Sequence, residues 1–379
     1  MRIIIAVVII TALVLGWMRV MRPADLPVDQ GLHLDYPVSH VNGPALVAIQ
    51  PWLNQRHYQS PQILEQHLES YLQAARDGGA MRAGSIVVFP EHIGTWLVAA
   101  KAPVMGFRAR KTDTAMAWLI VRHPLRFARA YFDSDERDRA AAAIFRMKAP
   151  AMARDYTRVF GRLAQKFEVT IVAGSIVLPN PQVRDGTLRP GQGPLYNVGA
   201  VFHPDGQIDA QLVRKVHPIP SEAGFTAAAP ASELPVFNTL SGKLGVLICA
   251  DSWHPDVYEA LRGRGVQTMA VPAFLQPEKV WESPWHGYTT GWPKDADRGD
   301  ELRITERQAW MRYALGGRLT SAGAVRGATA FLRGNLWDLG SDGANILVTA
   351  DGAWVDGHAG GASISALALS PTTGIAPRP

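Results

Sequence analysis

Apolar positions along this chain follow two rhythms that alternate from one end to the other. Short apolar runs fall at 45–50, 85–90, 170–177, 197–202, 208–214, 243–249, 268–274, 325–331 and 344–349, and each is expected as a strand. Stripes at helical spacing lie between them. Leu64, Leu68, Tyr71, Leu72 and Ala75 share one face, opened by Ser60-Pro61 and closed by Gly78-Gly79. Met152, Tyr156, Val159, Phe160, Leu163 and Phe167 form a second stripe, which reads as core packing rather than a cofactor contact. Thr305-Glu306-Arg307-Gln308 resembles a capping box ahead of Trp310, Tyr313 and Leu315. Asp256–Arg262 reads as a shorter helix stopped near Gly263 and Gly265. Strands alternating with helices predict a mixed α/β fold, and periodicity alone goes no further.

The amino terminus breaks the pattern. Ile3 to Met18 is sixteen residues without a charge, and Thr11 is its only clearly polar side chain. A membrane span needs about 20 residues, and extension to Met21 includes only Arg19, which can snorkel. No small-x-small cleavage site follows, so residues 1–22 are expected as an uncleaved transmembrane anchor rather than a signal peptide. Residues 23–41 then form a linker, 42–372 the main domain and 373–379 a flexible tail. The expected location is a membrane of bacterial inner-membrane type. Positive charges on the two flanks nearly balance, so the side of the main domain is left open.

Composition supports a large folded body, with 47% hydrophobic and 19% charged residues and no dividing linker. The single cysteine excludes an internal disulfide. A net charge of +5 is spread over dispersed arginines, which argues against a nucleic-acid partner and fits an anionic bilayer. There is no Gly-x-Ser-x-Gly elbow, Walker-type loop or His-Glu-x-x-His pair, and the histidines lack zinc-ligand spacing. No metal or cofactor is expected.

The lone cysteine carries the chemistry. Cys249 ends the apolar run that starts at Lys243, and Ala250-Asp251-Ser252-Trp253-His254-Pro255 supplies capping residues for the following helix. A thiol at such an elbow lies near a positive helix terminus, which favours thiolate. Two more reactive groups end strands upstream: Glu91 after 85–90 and Lys215 after 208–214. A carboxylate, an amine and a thiol at three strand ends can meet above one sheet edge.

Pro90-Glu91, Arg214-Lys215-Val216-His217 and Leu247–Pro255 resemble, in that order, the three signature segments of the nitrilase superfamily, the carbon–nitrogen hydrolases. The spacings of 124 and 34 residues suit it, and the similarity extends over roughly 42–370. The resemblance implies a four-layer α-β-β-α sandwich. It also implies a general base at Glu91, an oxyanion-binding ammonium at Lys215 assisted by the Ala250 N–H, and a thioester on Cys249. Glu222 is the candidate for the family's second glutamate, one residue earlier than its usual place. Trp253 and Phe274 are expected to bind substrate, while His217 and His254 are expected to pack around the site. Three readings follow: hydrolysis of a non-peptide amide, carbamoyl amide or nitrile; acyl transfer to an amine; or a non-catalytic membrane-tethered binding protein. Relatives often dimerise, so a homodimer is expected as well, though no dimer face is legible.

Two stretches look longer than such a domain requires. Residues 101–135 are basic, and 275–300 carry Trp281, Trp285, Tyr288 and Trp292. Both fit a membrane interface that admits an amphiphilic substrate, and both equally fit a lid packed on the enzyme.

Overall fold

The computed structural model describes residues 41–356 and 361–369, together with Gly16. Among the described residues, fifteen strands build two large sheets and one hairpin. The first sheet has the order β15-β1-β2-β3-β7-β4, with β8 also pairing β7. Its members are β1 (Ala45–Gln50), β2 (Ile86–Val88), β3 (Thr170–Val172), β4 (Ile176–Pro179), β7 (Leu195–Phe202), β8 (Ile208–Arg214) and β15 (Ser363–Ala368). The second runs β14-β13-β12-β11-β10-β9. It contains β9 (Val236–Thr239), β10 (Gly242–Val246), β11 (Thr268–Ala273), β12 (Arg326–Phe331), β13 (Ile346–Thr349) and β14 (Gly352–Val355). β1, β2 and β3 are mutually parallel, as are β10, β11 and β12, and every other pair is antiparallel. The hairpin joins β5 (Gln182–Arg184) to β6 (Thr187–Arg189).

The sheets pack face to face, and helices cover their outer faces. β1 shows why its sequence is apolar throughout. Ala45, Val47 and Ile49 turn to a core shared with Leu64 and Phe160 of the helices Pro61–Asp77 and Arg139–Phe167. Leu46 and Ala48 turn the other way, to a core shared with Val271 and Ala330 of the second sheet. A strand buried on both faces has no polar side to display. Tyr258 and Leu261, from the helix Pro255–Leu261, join that second core, as does Trp310 from Glu306–Tyr313. The four-layer sandwich is thus present.

Ser60 caps the first helix and Thr305 with Gln308 closes a capping box, as expected. Leu315, expected to continue that helix, opens a separate short one, Leu315–Arg318. The run at 85–90 is a strand only over Ile86–Val88, and 243–249 ends as one at Val246. The run at 170–177 is broken into β3 and β4, because residues between them brace the turn that carries Glu91. β15 escapes a reading of its pattern because Ser363 and Ser365 interrupt it. Both are buried, and Asn345 Nδ2 donates to their hydroxyls at 3.2 and 3.1 Å. The hairpin and edge strands β5, β6, β9 and β14 are short and partly exposed, so no apolar run marks them.

The expected anchor, apart from Gly16, lies outside the described residues, as do linker residues 23–40 and the tail 373–379. Among the described residues no helix is long and apolar enough to cross a membrane. The 275–300 segment packs against the body of the protein. Trp281 and Trp285 are only 3% and 2% exposed, and Trp285 stacks on Trp253 and Tyr313. Its tryptophans are therefore spent on the protein and are not displayed as a membrane belt.

Candidate active site

Glu91, Lys215, Cys249 and Phe274 all lie just beyond the carboxyl ends of their strands, β2, β8, β10 and β11. In open α/β sheets that is where ligands bind. The turn holding Glu91 is strained and braced. His92 has φ 60°. Its N–H donates to Ser175 Oγ at 2.9 Å, and the Gly94 N–H donates to the Ser175 carbonyl at 2.9 Å. Gly174 sits at φ 63°, where a Cβ would stand 1.9 Å from the Pro90 carbonyl oxygen. Gly174→Ala must displace Pro90 and with it Glu91. It is expected to cost more than about 1 kcal/mol and to lower activity, measured by thermal unfolding and by turnover.

Cys249 stands at a second strained corner, with φ 49°, at the start of the 3-10 turn Cys249–Trp253. Asp251 ties this elbow to the lysine segment. Its Oδ2 accepts from the Ile248 N–H at 3.2 Å. Its Oδ1 accepts from the N–H groups of Val216 and His217 at 3.0 and 2.7 Å. Burial pushes the Asp251 carboxyl up to about 7 against those bonds and the pull of Lys215. The thiol faces the Phe274 carbonyl at 3.9 Å.

Lys215 is completely buried. Its ammonium donates to Glu91 Oε1 at 2.6 Å and to Glu222 Oε2 at 2.7 Å. Asn197 bridges the same two carboxylates, its Nδ2 donating to Glu91 Oε1 at 2.9 Å and Glu222 Oε1 at 3.1 Å. His92 Nε2 lies 2.6 Å from Glu222 Oε1, and its Nδ1 lies 3.0 Å from Thr95 Oγ1. A carboxylate only accepts, so Nε2 carries the proton and donates to Glu222. The result is one ammonium held between two carboxylates beside a thiol.

Electrostatics follow from that arrangement. Burial alone would pull the Lys215 ammonium down, but Glu222 and Glu91 overcome it and hold it above its ordinary value. The lysine stays charged. Burial would raise Glu222, yet Lys215 and His92 hold it below the usual carboxylate range. Burial raises Cys249, and Glu91 raises it further, against the opposing pull of Lys215. The expectation of a resting thiolate is therefore corrected. The residues after Cys249 form a 3-10 turn, and the α-helix begins only at Pro255. Its terminus is too far along the chain to offset burial and a facing carboxylate.

The Glu222 shift sets a dependence of stability on pH. Its folded value lies below the ordinary 4.5, so between the two values the unfolded chain binds more protons. The stabilisation is full above about 4.5 and is lost as pH falls through the folded value. Glu222→Gln is expected to flatten that acid-side slope in melting temperature measured across pH.

Among the expected substrate contacts, Ala250, Trp253 and Phe274 line a cavity of about 560 Å³ together with Glu91, Glu222 and Cys249. The Ala250 N–H sits at the start of the 3-10 turn, where the first donors have no partner within the turn. His254 lines the cavity too, stacked on His217 at 3.8 Å, with burial drawing its pKa down to about 4. Glu91, His92 and Glu222 also lie close enough together to suggest a metal site, but the Lys215 ammonium already bonds to both carboxylates. Glu222 is buried in the cluster and is no solvated loop acid. Asn197 and His92 were not foreseen as site residues. A polar residue inside the apolar run Leu195–Phe202 was the available signal for Asn197.

Comparison with known proteins bears on the family and the fold. The chain is 31% identical over 137 residues to omega-amidase NIT2 of Danio rerio, covering 34% of this chain and 44% of that protein. It is 28% identical over 118 residues to the probable hydrolase YhcX of Bacillus subtilis, covering 31% and 20%. The chain therefore spans less than half the length of these curated relatives. Saccharomyces cerevisiae Nit3, of branch 10 of the nitrilase superfamily, superposes with a TM-score of 0.50 at 17% identity. That alignment covers 86% of this chain and 90% of Nit3, a likeness of fold. Residues 45–290 match the carbon-nitrogen hydrolase family throughout, and the chain belongs to that family.

Proposed function

We propose that the protein hydrolyses a non-peptide amide C–N bond through a thioester on Cys249. One observation carries this reading: a buried ammonium, its two carboxylates and the lone thiol converge beside one cavity. The thiol is neutral at rest, so attack needs a base. Glu91 takes the S–H proton as sulfur adds to the carbonyl carbon. The negative charge that develops on oxygen meets the Lys215 ammonium and the Ala250 N–H. Glu91 then gives the proton to the departing nitrogen, leaving the acyl group on sulfur. Water, deprotonated by Glu91, adds to the thioester carbonyl; the carbon–sulfur bond breaks, Glu91 returns the proton to sulfur and a carboxylic acid is released. Glu222, Asn197 and His92 hold Lys215 and Glu91 in register, and Glu222 balances the lysine's charge once Glu91 is protonated.

Aromatic walls from Trp96, Trp253, Phe274 and Trp285 favour an apolar acyl group. The test is release of amine from a panel of linear amides, with hydroxylamine added as competing acceptor. Acid in water and hydroxamate with hydroxylamine are expected from the wild type and neither from Cys249→Ala. Equal product from both proteins would reject the thioester. A physiological amine that outcompetes water would turn the reading to acyl transfer.

We also propose that the enzyme is tethered by residues 1–22, on the support of the uncharged run from Ile3 to Met18. Resistance of the membrane-bound fraction to alkaline carbonate is the expected result; full release would remove the anchor from the account.

A further inference from the structure

The basic stretch after Glu91 folds as three consecutive helices, Val104–Arg108, Thr112–Arg122 and Pro124–Phe132. The last has two unlike faces. Phe127, Ala130 and Tyr131 turn inward, with Phe127 and Ala130 in contact with the protein core or buried in it. On the opposite side, at helical spacing i, i+4 and i+7, lie Leu125, Arg129 and Phe132. Leu125 is 85% exposed and Phe132 80%, the two most exposed large apolar side chains among the described residues. Val121 and Met105, earlier in the same insert, are also exposed. Folding gains nothing from a phenylalanine and a leucine held in water.

Charge on the insert is mainly basic. Residues 101–135 hold seven Lys or Arg and three acids, Asp113, Asp133 and Asp135, of which Asp133 lies 3.7 Å from Arg129. Their net charge of four accounts for most of the +5 of the whole chain. Arg108, Arg110, Lys111, Arg126 and Arg129 are all exposed. Apolar side chains set among arginines on one exposed helix face match a bilayer whose headgroups are negative. The insert also adjoins the cavity rim. Trp337 Nε1 donates to the Gly106 carbonyl at 2.9 Å and its ring meets Trp96, which lines the cavity.

We infer that the outer face of Pro124–Phe132 docks the catalytic domain on an anionic lipid surface, with Leu125 and Phe132 entering the headgroup layer and Arg126 and Arg129 meeting phosphates. This contact is separate from any tether at residues 1–22 and does not depend on the thioester chemistry. Its occupant is lipid, rather than the chain's own amino-terminal segment or a second copy.

The full chain carrying Ala128→Cys and Cys249→Ala, labelled at residue 128 with an environment-sensitive fluorophore, reads this face alone. Phosphatidylcholine vesicles containing phosphatidylglycerol are expected to shift emission to the blue, whereas phosphatidylcholine alone leaves it water-like. Leu125→Glu with Phe132→Glu is expected to abolish the shift. Arg126→Glu with Arg129→Glu is expected to weaken partitioning by roughly tenfold or more. These residues are exposed, so the variants keep their fold. Emission unchanged by anionic vesicles overturns the inference. Emission already blue without lipid does so as well, because another part of the chain or a second copy then covers the face.

Discussion

Cys249→Ala is expected to abolish amide turnover, by a factor on the order of 10⁶ if the nucleophile and its base act as one unit. The fold should survive. Alanine tolerates the left-handed corner no worse than cysteine does, and the hydrogen bonds lost with the sulfur are the long one to the Phe274 carbonyl and the one to Glu91. A melting temperature within a few degrees of wild type, alongside lost turnover, separates chemistry from folding. The neutral resting thiol adds a second expectation. Alkylation by iodoacetamide should be slow near neutral pH for a thiol raised by burial and by Glu91. Rapid alkylation would show that a thiolate is present at rest and that the charge balance drawn here is wrong.

Lys215→Ala is expected to cost both activity and stability. Removing one oxyanion-stabilising donor typically lowers turnover by about 10²–10³-fold. Removing one partner of a buried ion pair typically destabilises by about 3–5 kcal/mol, since the other charge remains uncompensated. Here two carboxylates lose their shared cation at once. Lys215→Met combined with Glu222→Gln removes the uncompensated charge, so its stability loss should be smaller than the sum of the single losses. Activity should not recover with stability. Near-normal turnover in Lys215→Ala would take the ammonium out of the reaction.

How much of this was legible in the residues depends on where each group acts. The three reactive side chains end apolar strands, and strand ends in order along the chain are visible as runs of Val, Ile and Leu followed by a polar residue. Glu91, Lys215 and Cys249 could therefore be named together. Their convergence could not be read, because it depends on the crossovers that bring β2, β8 and β10 to one rim. Glu222 was named on resemblance, and only its burial against Lys215 distinguishes it from a solvated loop acid. Asn197 and His92 stayed hidden because their importance is relational: each is defined by the carboxylate it touches 25 or 130 residues away. The protonation of the thiol is not legible in the sequence, because the local turn is visible there and the burial that outweighs it is not. The aromatic segment and the basic insert looked alike as sequence. Burial separates them, with Trp285 turned into the enzyme and Phe132 turned out.

The central claim is that an acyl group passes through sulfur. Intact-protein mass spectrometry on acid-quenched turnover with an amide substrate tests it most directly. A transient mass increase equal to the acyl group is expected, mapped to the peptide carrying Cys249 and absent from Cys249→Ala. Sustained hydrolysis with no adduct on that peptide, and turnover retained in the alanine variant, would contradict it.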